Sequence, residues 1–168
     1  MKKAIITTGG TGGHIYPALS VARGLQKRDV EILFVGSSSR MEKDMVPKEN
    51  IRYEGLEIYP IKSIKTFFKL VTAVRKSIKI IKEEKPDVVI GFGNYISLPM
   101  ITAAFLTRTN FYLQEQNANL GMTNKLFYKF SQKTFLAFEK TYDDIPVKYQ
   151  HKFKVTGNPL REEIYSID

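Results

Sequence analysis

The sequence predicts an α/β fold in which a parallel sheet carries helices on both faces. Two observations predict it. Short apolar, β-branched runs alternate with helical patterns along the chain, and the first run ends in a glycine-rich turn that opens onto a helical pattern. The runs read as strands are Lys3 to Thr8, Glu31 to Val35, Arg52 to Ile58, Asp87 to Gly91, Asn110 to Gln114, Lys133 to Ala137 and Phe153 to Val155. In such a Rossmann-like sheet, ligands bind outside the carboxyl ends of the strands. Three polar turns fall there. Thr8-Gly9-Gly10-Thr11-Gly12-Gly13-His14 follows the first strand, Gly91-Phe92-Gly93-Asn94-Tyr95 the fourth, and Gln114-Glu115-Gln116-Asn117 the fifth, so all three can line one crevice.

The first turn says most about chemistry. Four glycines let the backbone bend tightly and approach a ligand, while the N-terminus of the helix expected from Tyr16-Pro17 onward presents unpaired N–H donors and a partial positive charge. The expected guest is a diphosphate. His14 lies beside it, near the positive end of the helix macrodipole, which favours a neutral imidazole able to act as a general base. Two better-known glycine loops are excluded by spacing. A dinucleotide fingerprint from Gly10 needs a third glycine where Ile15 stands, and Phe34-Val35-Gly36-Ser37 lacks the acidic residue that grips a ribose. A P-loop from Gly9 needs Gly-Lys where His14 and Ile15 stand.

Composition bounds the rest. The 168 residues, 43% apolar and 26% charged, suit one globular domain with a real core. No apolar run approaches the roughly 20 residues that span a bilayer, and Met1-Lys2-Lys3 leads straight into a strand rather than a signal-peptide core, so a cytoplasmic location is expected. The lack of Cys excludes disulfides and thiolate metal sites, and two His without an acidic cluster argue against a structural metal. The net charge of +9 points to nucleic acid, an anionic membrane or phosphorylated substrates.

That charge is concentrated between Lys62 and Lys85, where eight Lys or Arg meet only Glu83 and Glu84. On a helical wheel Phe67, Leu70, Val71, Val74, Ile78 and Ile81 share one arc, expected to face the core. Lys62, Lys65, Lys69, Arg75, Lys76, Lys79 and Lys82 occupy another, with Ile64 and Phe68 at its edge. This is the pattern of a helix lying on an anionic membrane, with apolar side chains dipping in and cations on phosphates. A plain solvated face gives the same pattern. Pro86-Asp87 ends this helix. No RNA-binding or DNA-reading motif accompanies the charge, so nucleic acid is not expected as a partner.

Taken together, the motifs resemble one family. Thr8 to Leu19, then Gly36 with Arg40-Met41-Glu42, Val46-Pro47-Lys48, Lys85 to Gly91, Glu115-Gln116-Asn117, Gly121-Met122-Thr123-Asn124-Lys125 and Gly157-Asn158-Pro159-Leu160-Arg161 are similar, in order, to the MurG family. These bacterial transferases move N-acetylglucosamine from UDP-GlcNAc to lipid I, giving lipid II for peptidoglycan. The resemblance implies the N-terminal, acceptor-binding half of a two-domain GT-B fold, over residues 1–168, on the cytoplasmic face of the cell membrane. It implies no cofactor beyond the substrates UDP-GlcNAc and lipid I. It also implies that a C-terminal UDP-GlcNAc-binding domain is the missing partner, without which the chain binds acceptor but does not transfer sugar. By the same resemblance Thr11, Gly12, Gly13, Asn117 and Arg161 face the donor across the cleft, and His14 lies close to the reacting centre. Gly9, Gly10, Gly12 and Gly13, with Gly93, Asn94, Tyr95 and Ser97, hold the acceptor diphosphate through backbone N–H groups. Ile64, Lys65, Phe68, Lys69, Arg75 and Lys79 are the expected membrane contacts.

Two positions depart from the family pattern. Many relatives have Gly-Gly-Tyr where this chain has Gly93-Asn94-Tyr95, and His-Glu-Gln-Asn where it has Gln114-Glu115-Gln116-Asn117. Asn tolerates positive φ, so the turn survives Asn94. Gln114 removes one proton carrier and leaves His14 and Glu115 as candidate bases for the attacking C4 hydroxyl of the muramyl sugar. His14 is preferred, because a carboxylate near its ordinary pKa of about 4.3 is a weak base at neutral pH; Glu115 then serves as a structural acceptor. Asn117 has no helix to cap before Gly121, which favours a ligand role. Tyr95 reads equally as a core aromatic. Gly157-Asn158-Pro159 reads as a turn, or in this family context as the interdomain hinge. Two other readings stay open: a subunit of a split two-chain UDP-GlcNAc transferase, and a non-catalytic module that binds anionic lipid.

Overall fold

A computed structural model describes residues 1–159. Seven strands form one wholly parallel sheet: β1 (Lys3–Thr7), β2 (Glu31–Ser37), β3 (Arg52–Leu56), β4 (Val88–Gly91), β5 (Phe111–Glu115), β6 (Lys133–Leu136) and β7 (Phe153–Val155). Their order is β3-β2-β1-β4-β5-β6-β7. Each strand predicted from the sequence is present, with ends shifted by at most two residues. β1 is central and reads as an unbroken apolar run because Ala4, Ile5 and Ile6 are fully buried between two helical layers.

Helices alternate with the strands: α1 (Gly12–Gln26), α2 (Glu42–Met45), α3 (Ile64–Glu84), α4 (Asn94–Leu106) and α5 (Met122–Phe127). α1 buries Ile15, Ala18, Leu19 and Ala22 against Ala4, Ile6, Ile32 and Phe34 on one face of the sheet. On the other face Ile80 and Ile81 of α3 and Ile96, Met100 and Ile101 of α4 pack on Ile5, Val89 and Leu113. α1 begins at Gly12, four residues before the expected opening at Tyr16-Pro17. The first amides of a helix lack intrahelical partners, so Gly12 and Gly13 open the helix and Pro17 is carried inside it.

The chain steps outward from β1 to β2 and β3, then returns to the other side of β1 with β4. The carboxyl ends of β1 and β4 therefore flank a topological switch point, the crevice where open α/β sheets bind ligands. Thr7 and Gly91 are paired across it, and Phe92 N–H donates to Thr7 O at 3.1 Å.

At the opposite, amino ends of the strands an ion cluster ties α3 to the sheet. Arg52 Nη2 meets Glu84 Oε1 at 2.6 Å, and Lys3 Nζ meets Glu84 Oε2 at 3.0 Å. The Arg52 hydrogen bond, with help from Lys3, brings the Glu84 carboxyl down to about 2 from 4.5. The folded value lies below the unfolded one, so this stabilisation is present above pH 4.5 and is lost as pH falls toward about 2. Glu84→Gln is expected to lower the thermal midpoint near neutral pH and to matter much less at about pH 3. An equal loss at both would show that the cluster's charge is not what stabilises this end of the sheet.

Candidate functional site

The first glycine turn is built on a buried carboxylate. Glu42 of α2 is fully buried, and its Oε2 accepts from Gly10 N–H at 2.9 Å while Oε1 accepts from Ser37 N–H at 2.9 Å. Gly10 has φ +88°, which only glycine adopts freely. Thr11 returns to extended backbone and its carbonyl accepts from His14 and Ile15 N–H, which starts α1. Among the described residues Gly12 and Gly13 N–H take no backbone acceptor. The Gly10 amide, counted among the diphosphate donors from the sequence, is instead spent on Glu42. The donors left for an anion are those of Thr11, Gly12 and Gly13.

The second turn is the N-terminus of α4 rather than a free loop. Gly93 has φ +82° and Asn94 φ +60°, so Asn94 does adopt the positive φ that the sequence reading required of it. Its side chain does more than tolerate that geometry. Oδ1 accepts from Ile96 N–H at 2.8 Å, and Nδ2 donates to Gly9 O at 2.5 Å, joining the two glycine turns directly. Ser97, expected to meet the diphosphate, is fully buried, and its hydroxyl donates to Asn94 O at 2.9 Å; it braces the turn from beneath. Tyr95 is half-buried and packs against the core under α4.

The third turn is organised by Glu115, which is 1% exposed. Its Oε1 accepts from Asn117 N–H at 3.1 Å and Asn117 Nδ2 at 3.3 Å, and its Oε2 from Gly121 N–H at 2.8 Å and Asn124 Nδ2 at 3.0 Å. A carboxylate with both oxygens taken by four donors is a brace for the Asn117 to Asn124 segment. This also supplies the structural reason for Asn117 that the sequence reading lacked, although Asn117 itself is exposed at the crevice. Gln116 Nε2 donates to Phe92 O at 2.8 Å and ties this turn to the second, while Gln114 Nε2 reaches Asn158 at 3.2 Å. Arg161 lies outside the described residues.

His14 sits half-buried in the first turn of α1, its Nδ1 3.0 Å from Thr11 Oγ1. Burial lowers its pKa below 6.5, against an upward pull from the Glu115 carboxylate. Desolvation thus acts in the same direction as the macrodipole expected from the sequence. A base role needs the tautomer in which Nδ1–H donates to Thr11 Oγ1, leaving the Nε2 lone pair free. Among the described residues no group of three or more His, Cys, Asp or Glu could hold a metal ion.

α3 is amphipathic, but its buried face is turned from the one the wheel predicts. Ala73, Ser77, Ile80 and Ile81 are buried. Of the six residues placed on the core face only Ile81 is buried, Leu70, Val71, Val74 and Ile78 are half-buried, and Phe67 is 50% exposed. Phe67 joins Ile61, Ile64 and Phe68 in an exposed apolar group beside Lys62 and Lys65 at the start of α3. Of the basic residues, Lys69 lies 4.4 Å from the Tyr59 ring centroid and Lys79 is 3.8 Å from Glu83, while Arg75 is exposed. No helix among the described residues is long and apolar enough to cross a membrane.

A wholly parallel sheet with two glycine turns at its switch point and a helix entering from each defines a Rossmann-like, ligand-binding α/β domain. The model of the glycosyltransferase family 28 N-terminal domain matches residues 4–136, and the chain belongs to that family. Within it the likeness is to MurG. The chain is 58% identical over 164 residues to the UDP-N-acetylglucosamine--N-acetylmuramyl-(pentapeptide) pyrophosphoryl-undecaprenol N-acetylglucosamine transferase of Fusobacterium nucleatum, covering 98% of this chain and 46% of that protein. The protein of the same name from Halothermothrix orenii is 39% identical over 168 residues, covering 96% of this chain and 45% of that protein. The crystal structure of Acinetobacter baumannii MurG superposes with a TM-score of 0.82 at 30% identity, over 99% of this chain and 48% of that one. The chain thus spans about half the length of the relatives it matches.

Proposed function

We propose that the chain is the acceptor-binding and membrane-facing N-terminal domain, residues 1–168, of an inverting glycosyltransferase. The enzyme transfers N-acetylglucosamine from UDP-GlcNAc to the C4 hydroxyl of MurNAc in lipid I, giving lipid II. The observation that carries this reading is the Asn94 to Gly9 bond at the switch point, which holds two glycine turns and their helix N-termini around one crevice beside His14. Free amides and the positive ends of α1 and α4 suit the acceptor diphosphate. In the reaction the C4 oxygen attacks the anomeric carbon, the bond to UDP breaks with its electron pair leaving on the diphosphate, and His14 Nε2 takes the hydroxyl proton. Thr11 orients the imidazole, and Glu115 braces Asn117 toward the donor side. The other half of the enzyme supplies most contacts to UDP-GlcNAc, so this chain binds acceptor without transferring sugar.

The test is calorimetric titration with a short-chain, water-soluble lipid I analogue and then with UDP-GlcNAc. Binding of the analogue with little or no binding of the nucleotide sugar is expected. Donor binding without acceptor binding would mean that the two substrates are assigned to the wrong halves.

The same reading puts the chain at the cytoplasmic face of the membrane through the start of α3, where Ile64 and Phe68 are 77% and 62% exposed beside cationic neighbours. Phe68→Glu is expected to weaken binding to anionic phosphatidylglycerol vesicles by about tenfold or more, from lost burial of one aromatic side chain and added repulsion. Binding of the soluble analogue stays intact. Equal vesicle binding by both forms would discard this surface.

A further inference from the structure

We propose that Glu42 is a positioning residue of the first glycine turn: its carboxylate claims the Gly10 N–H and so turns the amides of Thr11, Gly12 and Gly13 toward the ligand. The inference deepens the acceptor-site reading and rests on it. The peptide unit between Gly9 and Gly10 is gripped at both ends, its carbonyl by Asn94 Nδ2 at 2.5 Å and its N–H by Glu42 Oε2 at 2.9 Å. With the second oxygen on Ser37 N–H, the carboxylate spans the ends of β1 and β2 and locks the turn to both. It sits in contact with two glycines. A Cβ on Gly9 would lie 2.1 Å from Glu42 Oε1, and one on Gly36 2.8 Å from Glu42 Cγ.

Chemistry explains why a carboxylate is kept there. Removing a charge from water is costly unless its lone pairs are met, and here two backbone N–H donors meet them. Glutamine, with one acceptor oxygen, could satisfy only one donor and would aim an N–H at the other. A negative charge under an anion-binding turn would repel the guest if it faced the crevice; instead Gly10 stands between them. Since His14 lies one helical turn beyond Gly10, rotating this peptide unit would misdirect both the diphosphate donors and the candidate base.

The experiment follows backbone amides of the 15N-labelled chain by NMR, alone and with the soluble lipid I analogue, for the unmodified chain and for Glu42→Gln. In the unmodified chain the Gly10 and Ser37 amides are expected to exchange slowly with solvent, and Thr11, Gly12 and Gly13 to move most on adding the analogue. Glu42→Gln is expected to keep the core resonances of β1, to speed Gly10 exchange, and to weaken the analogue by about tenfold or more, the scale of a lost charge-assisted hydrogen bond. A Gly10 amide in the unmodified chain that exchanges as fast as those of Gly12 and Gly13 would overturn the proposal, and this reading holds even where the variant fails to fold. Unchanged affinity in a folded Glu42→Gln would overturn it too. An unmodified chain that ignores the analogue would instead sink the acceptor reading, leaving the Gly10 exchange rate to decide the clamp.

Discussion

Gly9→Ala is expected to destabilise the chain by about 3 kcal/mol, the sum of overpacking and of disturbed charge-assisted hydrogen bonds. The new methyl would stand 2.1 Å from Glu42 Oε1 and 2.2 Å from Cδ. A surface glutamate would swing away, but this one is fully buried and held by Gly10 and Ser37 N–H, so yielding means breaking both bonds. Urea unfolding measures the loss, with Gly24→Ala as the control. Gly24 lies inside α1 with nothing within 4 Å of a new Cβ, so that change should stabilise by about 0.5–1 kcal/mol from helix propensity. Combining Gly9→Ala with Glu42→Ala removes the obstruction, and the two losses should then fall short of their sum. A cost for Gly9→Ala below about 1 kcal/mol would mean that Glu42 is free to move.

Glu115→Ala has a comparable effect by a different route. Four donors, the Asn117 N–H and Nδ2, Gly121 N–H and Asn124 Nδ2, lose the carboxylate, and only Asn124 Nδ2 keeps another acceptor, Gln114 O. At about 1–3 kcal/mol for each unmet donor, less what water recovers near the exposed Asn117, the expected loss is about 3–5 kcal/mol. Glu115→Gln keeps one accepting oxygen and should lose about half as much. Chemical denaturation distinguishes this brace from a surface carboxylate, whose removal would cost within about 0.5 kcal/mol. A loss that small would free Glu115 to compete with His14 for the role of base.

Much of this was legible in the order of residues. Continuous apolar runs located β1, β2, β4 and β5, because strands buried on both faces need them, while the more exposed β3 and β7 at the two edges were legible only from their β-branched and aromatic residues between turns. The glycine string, the Asn94 substitution and the basic segment were each visible by eye. Less legible was the bonding among the turns. Arg40-Met41-Glu42 stood out as a family motif without a role, since nothing local says that a glutamate 32 residues away will meet Gly10 N–H. Phe67 was misplaced because a helical wheel assumes that neighbours flank the whole helix, whereas at the start of α3 Ile64, Lys65, Phe67 and Phe68 are all exposed.

The residue sequence alone determined the alternation of strands and helices, the position of the flexible turns at strand ends, and the charge of α3, because periodicity, glycine content and ionisation are local properties. Tertiary structure decided which amides remain free, which carboxylates are braces, and why the His14 pKa is lowered. Those depend on what lies across the crevice: Glu42 against Gly10, Asn94 against Gly9, and the surroundings that desolvate the imidazole. Hydrogen-bond saturation and desolvation are set by distances between segments far apart in the chain, and only folding brings those segments together.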